Sequence, residues 1–207
     1  MFDTKRILDQ LVSSGVAGGL AGGLAGGALA SAVSGKKAKK YAGTALKAGG
    51  LALIGGLAYK AWQSYKENKP VPESPPPAAF VPDSPEENSL LNLLLIRSMI
   101  AAARADGTID TEEHQAIMSR IGEMQLNDKE KAFLFEQFAA PVDLPALARD
   151  ADSEAHAVEM YAASAMILET PSATEQQYLD QLAGALSLDK RLTEEIHHAI
   201  AEQQAAA

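Results

Sequence analysis

The chain has 207 residues, a formal net charge of −9 and no cysteine, which excludes thiol catalysis, thiolate metal sites and disulfide bonds. Hydrophobic residues make up 47% of it and charged residues 22%, so the composition is that of a folded protein. Residues 1–70 hold ten Lys and Arg against three Asp and Glu, whereas residues 71–207 hold eight against twenty-four. A basic head joined to an acidic body indicates two different surroundings, and the acidic body argues against a nucleic-acid partner.

The head contains a long uncharged run in which glycine pairs recur every fourth residue. Residues 10–35 carry no charge, and these 26 residues would form about 39 Å of helix, enough to cross a bilayer core of about 30 Å. Seven glycines lie within residues 15–27, and in water each would weaken a helix by roughly 0.8–1 kcal/mol. In lipid they would instead provide a smooth stripe on which another helix can lie, either the second apolar stretch of the same chain or the same stripe of a second copy. We predict the second arrangement, a membrane helix that joins copies of the chain into a homo-oligomer. The stripe consists of Gly15, Gly19, Gly23 and Gly27.

A second apolar stretch follows, and it leaves several topologies open. Only twelve residues, 48–59, separate Lys47 from Lys60, which gives about 18 Å of helix, so this stretch crosses a bilayer only if both lysines reach the headgroups. A hairpin of two membrane helices, which we slightly favour, would keep the basic Lys-Lys-Ala-Lys-Lys loop in the cytoplasm. The alternatives are a single span, a cleaved leader ending at residues 28–30, and a segment that lies on the membrane surface or forms a soluble oligomer.

A proline-rich stretch separates the head from the body. Residues 68–88 contain seven prolines, too many for a helix or an inner strand, and predict an extended spacer. A loop folded onto the body is the weaker alternative, because only Val71, Phe80 and Val81 could anchor it there. The predicted division is a basic glycine-rich membrane-anchor region at residues 1–67, a proline-rich linker at 68–88 and an acidic helical domain at 89–207.

The body consists of apolar helical patterns separated by capping signals, and it shows no strand-like alternation between turns. Two of the patterns, at 86–105 and 153–169, are apolar on most faces and are predicted to lie inside a bundle. An offset of 62 residues relates the two halves of the body, which predicts an all-α bundle of roughly seven helices with two-fold internal pseudo-symmetry. The remaining helices are predicted at 110–124, 127–139, 172–188 and 189–203, with a short connecting helix near 142–151.

Two parts of the chain resemble known families. The sequence AARADGTIDTEEHQAI, residues 102–117, with its degenerate second copy, resembles the TerB-like (tellurite-resistance) domain. The glycine-rich head resembles that of the YebE-like bacterial inner-membrane proteins. These resemblances imply an all-helical body and a location in the inner membrane, and they supply no reaction.

The turn at residues 106–113 is the stretch that suggests a ligand. Counted as an EF-hand loop, it supplies acidic residues at three positions, but the first two ligand positions fall on Ala102 and Arg104, so a standard calcium loop is excluded. The TerB resemblance implies a divalent cation here, which His114 could help to bind. The alternative, which we favour, is that the turn only caps helices. The candidate metal ligands are Asp106, Asp110 and Glu113.

Other constellations are weaker. His156 and Glu159 have the i, i+3 spacing of bundle metal sites, but no matching Glu-x-x-His occurs elsewhere. His197 and His198 are adjacent on a helix, where their side chains point about 100° apart and cannot chelate together. No nucleophile–base pair or carboxylate dyad can be placed, so we identify no catalytic residue.

The sequence therefore predicts a non-enzymatic, membrane-anchored interaction or sensing protein of the bacterial inner membrane. Its expected partners are the lipid bilayer, other copies of the chain and a protein whose identity the sequence does not give. The alternative is a divalent-cation-binding module involved in envelope or metal stress, with that cation as its cofactor. An enzyme is the remote alternative.

Overall fold

The computed structural model describes residues 3–13, 50–67, 80, 85–105, 115, 118–119, 121–122, 124–168 and 171–206. These residues form helices and turns and no strand, which confirms the predicted all-α class. In this part of the chain eight helices have defined bounds: α1 Thr4–Ser13, α2 Gly50–Glu67, α3 Pro85–Ala103, α4 Asp128–Ala139, α5 Leu144–Arg149, α6 Glu154–Ile167, α7 Ala173–Ala185 and α8 Lys190–Ala206.

Two helices of the body begin at the capping boxes that the sequence predicts. The side chain of Asn127 accepts hydrogen bonds from the N–H groups of Lys129 and Glu130, and Glu130 Oε2 accepts one from the N–H of Asn127 at 2.9 Å. Ser172 and Glu175 form the same reciprocal pair at the start of α7. Each box satisfies backbone donors that a helix start leaves unpaired, so both capping predictions are confirmed.

One described pair of helix starts follows the predicted internal repeat, whereas α3 and α6 begin 69 residues apart. Helices α4 and α8 begin at Asp128 and Lys190, an offset of 62 residues. The residue before each helix, Asn127 or Asp189, accepts a hydrogen bond from the N–H group two residues further on. The two halves of the body therefore use the same local device to start equivalent helices, as expected for related segments.

The core is centred on α6, which packs against α2, α3, α7 and α8. Most of its residues are buried, because its alanine-rich sequence lets neighbouring helices approach on several sides. A polar contact lies within this apolar packing, since Ser164 Oγ donates a hydrogen bond of 3.1 Å to Ser98 O and lies 3.4 Å from Tyr178 Oη. The two central helices predicted at 86–105 and 153–169 are thus confirmed as α3 and α6.

The described parts of the head lie on this core. Helix α1 packs against α3, and its side chains Ile7, Leu8 and Leu11 are at most 2% exposed. Helix α2 packs against α8 and α6 and also contacts α1. The head and the acidic helices therefore share one hydrophobic core, which the predicted division into an anchor and a body did not anticipate.

Among the described residues, no helix combines the length and apolarity needed to cross a membrane. The predicted second arm of a membrane hairpin, residues 48–59, falls largely in α2, whose Ile54 and Ala58 are fully buried in the protein core. Lys60, expected at the lipid headgroups, instead lies 2.9 Å from Glu202 of α8. The hairpin interpretation is therefore not supported at this arm, because protein covers its apolar face. The first predicted arm falls mostly in residues 14–49, which lie outside the described residues.

The predicted linker is described at Phe80 and from Pro85 onward, where α3 begins. Phe80 is 2% exposed and packs against the aromatic side chains of α2. At this position the chain is docked on the body, as in the loop alternative. Residues 68–79 and 81–84 lie outside the described residues, so the extent of the linker stays a prediction.

Because α1 contributes to the common core, truncating one of its buried side chains should destabilise the whole body. We expect Leu8→Ala to lower the free energy of unfolding by about 2–5 kcal/mol through lost burial and a residual cavity. Urea unfolding of the full chain in mild detergent, followed by circular dichroism, measures this change. Lys5→Ala, on the exposed side of α1, is the control and should change stability by less than about 0.5 kcal/mol. Equal stabilities of the two variants would show that α1 is independent of the body.

Candidate functional site

The predicted site residues lie outside the described part of the chain. Residues 106–114 contain all the candidate metal ligands, Asp106, Asp110 and Glu113, and residues 14–49 contain the glycine stripe, Gly15, Gly19, Gly23 and Gly27. Both sets stay predictions. Within the residues that the structure does describe, no group of three or more Asp, Glu or His side chains is placed to hold a metal ion.

His156 and Glu159, the pair with i, i+3 spacing on α6, have different surroundings. His156 Nδ1 lies 2.6 Å from Asp152 Oδ1, in the segment before the helix. Glu159, one turn further on, is fully buried and lies against α2. The two side chains therefore face different parts of the protein and do not form a common metal site.

Glu159 is the exceptional side chain of α6. Its exposed fraction is 0%, and neither of its carboxyl oxygens has a hydrogen-bond partner among the described residues. An ionised carboxylate in such surroundings loses its hydration without compensation, at a cost of several kcal/mol. Burial accordingly raises the pKa of Glu159 from its ordinary value of 4.5 to about 8. The group is therefore predominantly neutral at pH 7.

Gly55 of α2 lies directly against this carboxyl group. A Cβ atom at position 55 would be 3.1 Å from Glu159 Oε1 and 2.8 Å from Phe80 O. The second distance is shorter than the contacts that real Cβ atoms make, and its partner is a backbone atom that cannot rotate away. Glycine is thus required for the close approach of three chain segments, and we call Gly55, Phe80 and Glu159 the carboxyl junction.

Aromatic side chains of α2 hold Phe80 in place. The ring of Phe80 lies 5.6 Å from that of Tyr59 and 5.7 Å from that of Trp62, measured between centroids, and both pairs are tilted. Tilted pairs at this separation are favourable by about 0.5–1.5 kcal/mol beyond the area that they bury. The chain at Phe80 is therefore fixed on α2 by its side chain while its carbonyl faces Gly55.

The carboxyl junction can exchange one proton through Glu159. Burial of this side chain limits its ionisation and its access to other molecules. A neutral Glu159 is compatible with apolar surroundings, whereas an ionised one has no counter-charge beside it in the described part of the chain. Catalysis would require a substrate to reach an atom that solvent does not touch in this conformation. In this conformation the carboxyl junction is therefore a packing contact that contains one titratable group.

A second buried polar pair joins α6 to α8. Tyr161 Oη lies 3.0 Å from His197 Nε2, and burial lowers the pKa of His197 and raises that of Tyr161 to about 12. Both groups are therefore neutral at pH 7 and satisfy each other. His198 points elsewhere and lies 3.7 Å from Glu202, so the two adjacent histidines diverge as the sequence predicts.

A surface groove of about 560 Å³ lies near the carboxyl end of α2, bounded by Tyr65, the start of α6 and the turn before α8. Its rim carries acidic side chains, but these already have partners. Glu154 lies 3.3 Å from Lys66, and Asp189 accepts a hydrogen bond from the N–H of Arg191. The groove therefore contains no unsatisfied group that would select a ligand.

Sequence reasoning considered Glu159 only as a metal ligand. The signal that could have identified its burial is compositional, since Glu159 is the only acidic residue in the apolar run from Ala157 to Leu168. The partners of that carboxyl group could not be predicted in the same way. Gly55 and Phe80 are 104 and 79 positions away, in segments assigned to the membrane anchor and the linker.

The junction gives the two adjacent glycines of α2 opposite roles. Gly55→Ala should destabilise the protein by about 1–3 kcal/mol, because the added methyl group must displace the backbone at Phe80. Gly56→Ala is the matched control: its Cβ would meet nothing within 4 Å, and removing a helical glycine should stabilise the protein by about 0.4–1 kcal/mol. Urea midpoints of the two variants measure the difference. Stabilisation by both substitutions would contradict the close approach.

Comparison with known proteins places the chain in a family. The profile of a family described as a protein of unknown function, DUF533, matches residues 18–200, and DUF533 is a TerB-like family. A Yersinia enterocolitica protein described as "Uncharacterized protein in ampR 5'region" is 26% identical over 110 residues, covering 53% of this chain and 79% of the relative. No solved structure matches the chain. Since the family match extends over most of the chain and agrees with the all-helical structure, this protein belongs to the DUF533 family.

Proposed function

We propose that this protein is a non-enzymatic, membrane-associated interaction or sensing protein of the bacterial inner membrane. In this proposal the helical body holds both ends of the glycine-rich segment 14–49 and presents the segment to the bilayer from one side. The observation that carries the proposal is the contact between the last turn of α1 and the first residue of α2.

Asp9 and Gly50 join these two helices. The N–H of Gly50 donates a hydrogen bond of 2.6 Å to Asp9 Oδ1, so an acidic side chain satisfies a donor at the start of α2. A Cβ atom at Gly50 would lie 3.2 Å from Val12 Cγ2 and 3.3 Å from Leu8 Cγ. The two helices that flank residues 14–49 are therefore in contact at Gly50.

This contact limits how the segment can enter lipid. Residues 14–35 carry no charge, whereas residues 36–49 include five lysines. If the first part crossed the bilayer completely, the second would have to bring its lysines back through the apolar core to reach Gly50. Each lysine at the bilayer centre costs roughly 2.5–3.5 kcal/mol. We therefore propose that the segment enters and leaves the membrane on one face, with its lysines among the headgroups.

The charge distribution supports an orientation of the body away from lipid. Residues 71–207 carry twenty-four acidic residues against eight basic ones, and anionic headgroups repel such a surface. The acidic surface would thus stay in water, where a protein partner can reach it. We propose this surface as the interacting part and the segment 14–49 as the part that fixes it at the membrane.

A disulfide between the helix ends tests the topology, because the native chain has no cysteine to interfere. The double variant Val12→Cys with Gly50→Cys should form an intramolecular disulfide in isolated membranes treated with a mild oxidant. The oxidised protein should stay in the membrane pellet after an alkaline carbonate wash. Nonreducing electrophoresis of the washed pellet measures both properties.

The control variant pairs Val12→Cys with Lys66→Cys, at the other end of α2 and about 24 Å from Gly50 along the helix. It should form no intramolecular disulfide. If carbonate released the protein, the membrane proposal would be wrong. If the protein stayed in the membrane without forming the Val12–Gly50 link, the end of α1 and the start of α2 would be apart. This result would favour a segment 14–49 that crosses the membrane and places them on opposite sides.

The glycine stripe predicts self-association within the membrane. The proposal is that Gly15, Gly19, Gly23 and Gly27 of one copy pack against another copy, because small residues at this spacing allow close backbone contact. Gly23→Ile should reduce the yield of cross-linked dimer in membranes, whereas Leu24→Ile, which lies off the stripe, should not. Equal cross-linking of both variants and the unmodified protein would refute association through the stripe.

A further inference from the structure

We propose that Glu159 is a proton-binding site that locks α2 and Phe80 onto α6, and that release of its proton frees them. The site is the carboxyl junction, and its ligand is a proton. Any effect of this lock on segment 14–49 at the membrane rests on the proposed function, because α2 begins where that segment ends. The site itself depends only on the packing of the described helices.

Only the neutral form of the Glu159 carboxyl group fits the space between α2 and Phe80. Glu159 Oε1 and Phe80 O both lie within about 3 Å of the position that a Cβ of Gly55 would occupy, so no counter-charge or side chain can enter between them. The backbone carbonyl at Phe80 presents a partial negative charge to this space. Ionising Glu159 would add a full negative charge on the same side, without hydration.

The charged and titratable groups on the helices around α6 do not supply compensation, because burial alone accounts for the raised pKa of Glu159. Many of these groups have other contacts within the described part of the chain. The contacts are Lys60 with Glu202, Lys66 with Glu154, Arg97 with Asp150, Arg191 with Tyr65 O, Glu175 with the start of α7, Asp180 with Gln176, Tyr178 with Ser164, His156 with Asp152, His198 with Glu202, Lys190 with Glu194 and His197 with Tyr161.

Local release of α2 and Phe80 would hydrate an ionised Glu159. Its carboxyl group faces α2 and Phe80, whereas the rest of α6 is buried against α3, α7 and α8. Two of the polar links that hold α2 to the body, Lys60 to Glu202 and Lys66 to Glu154, are exposed ion pairs, which hold weakly. A third is the hydrogen bond that Arg191 of α8 donates to Tyr65 O. Moving α2 and Phe80 off α6 would admit water to the carboxylate, while α3 and α7 could keep their contacts with α6.

The direction of the pH dependence follows from proton linkage. The pKa of Glu159 is about 8 in the folded protein, against an ordinary value of 4.5, so the locked form binds a proton that the released form gives up between these values. The stabilisation that locking provides is complete below about pH 4.5 and is lost as the pH rises through about 8. The lock is thus closed in acid and opens as the pH rises from about 4.5 towards about 8.

Trp62 provides a native probe of the lock, since it is the single tryptophan of the chain and its ring packs on Phe80. We expect the Trp62 emission of the full chain in mild detergent to move to longer wavelength between pH 4.5 and 9.5, with a midpoint between the ordinary pKa of 4.5 and the locked value of about 8. Helical circular dichroism should persist over the same range. Glu159→Gln and Glu159→Met, which cannot ionise, should both lose the shift. The second variant covers the case in which a buried amide prevents folding.

Glu175→Gln is the matched control, because it removes a buried carboxyl group that caps α7 and should leave the shift unchanged. The proposal is overturned if Trp62 emission is constant across this range, if the shift persists in both Glu159 variants, or if helical signal is lost together with it. The titration needs no membrane. Release of the protein by carbonate would thus refute the membrane proposal alone, whereas a constant emission would refute the lock alone.

Discussion

The structure depends on the close approach of α2 to α6 at Gly55. Because this position has no side chain, the backbone of α2 reaches the carboxyl group of Glu159, and the chain at Phe80 closes over both. Once α2 is seated there, its N-terminal end meets α1, which lies on α3. The N-terminal helices thus belong to the same packed unit as the acidic body.

The uneven charge of the sequence has a counterpart in this packing. Basic residues of the head contact acidic residues of the body at Lys60 with Glu202 and at Lys66 with Glu154. These pairs are exposed, so each contributes at most about 1 kcal/mol and is weakened by salt. Their role is to select the orientation of α2, while apolar burial provides the stability. The basic head and the acidic body therefore attract each other within one fold.

Much of the body could be predicted because its signals are local. A capping box such as Ser172 with Glu175 identifies a helix start from residues that are close in sequence. An apolar run such as 153–169 identifies a buried helix in the same way. The all-α class and the two central helices therefore followed from the sequence.

The carboxyl junction could not be predicted because its parts are distant in sequence and each has an ordinary local meaning. A glycine such as Gly55 in an apolar helix serves equally well for packing in lipid and for packing in a protein core. Phe80 lies in a proline-rich stretch whose composition is typical of a spacer. Helix α1 was missed for a different reason, since the amphipathic spacing of Ile7, Leu8 and Leu11 covers only a short stretch before the uncharged run.

Glycine allows close backbone approach both in the described core, at Gly55, and in the proposed membrane segment that ends before Gly50. Close backbone approach is worth most where no water competes, which holds both in lipid and in a packed interior. At Gly55 the approach also brings an ionisable group into the contact, so the packing there is sensitive to protons in a way that a purely apolar contact is not. Because α2 carries Gly50 at one end and Gly55 five residues later, about 1.4 helical turns separate the carboxyl junction from the end of segment 14–49. Under the proposed function, this short connection would let the body control how that segment is held.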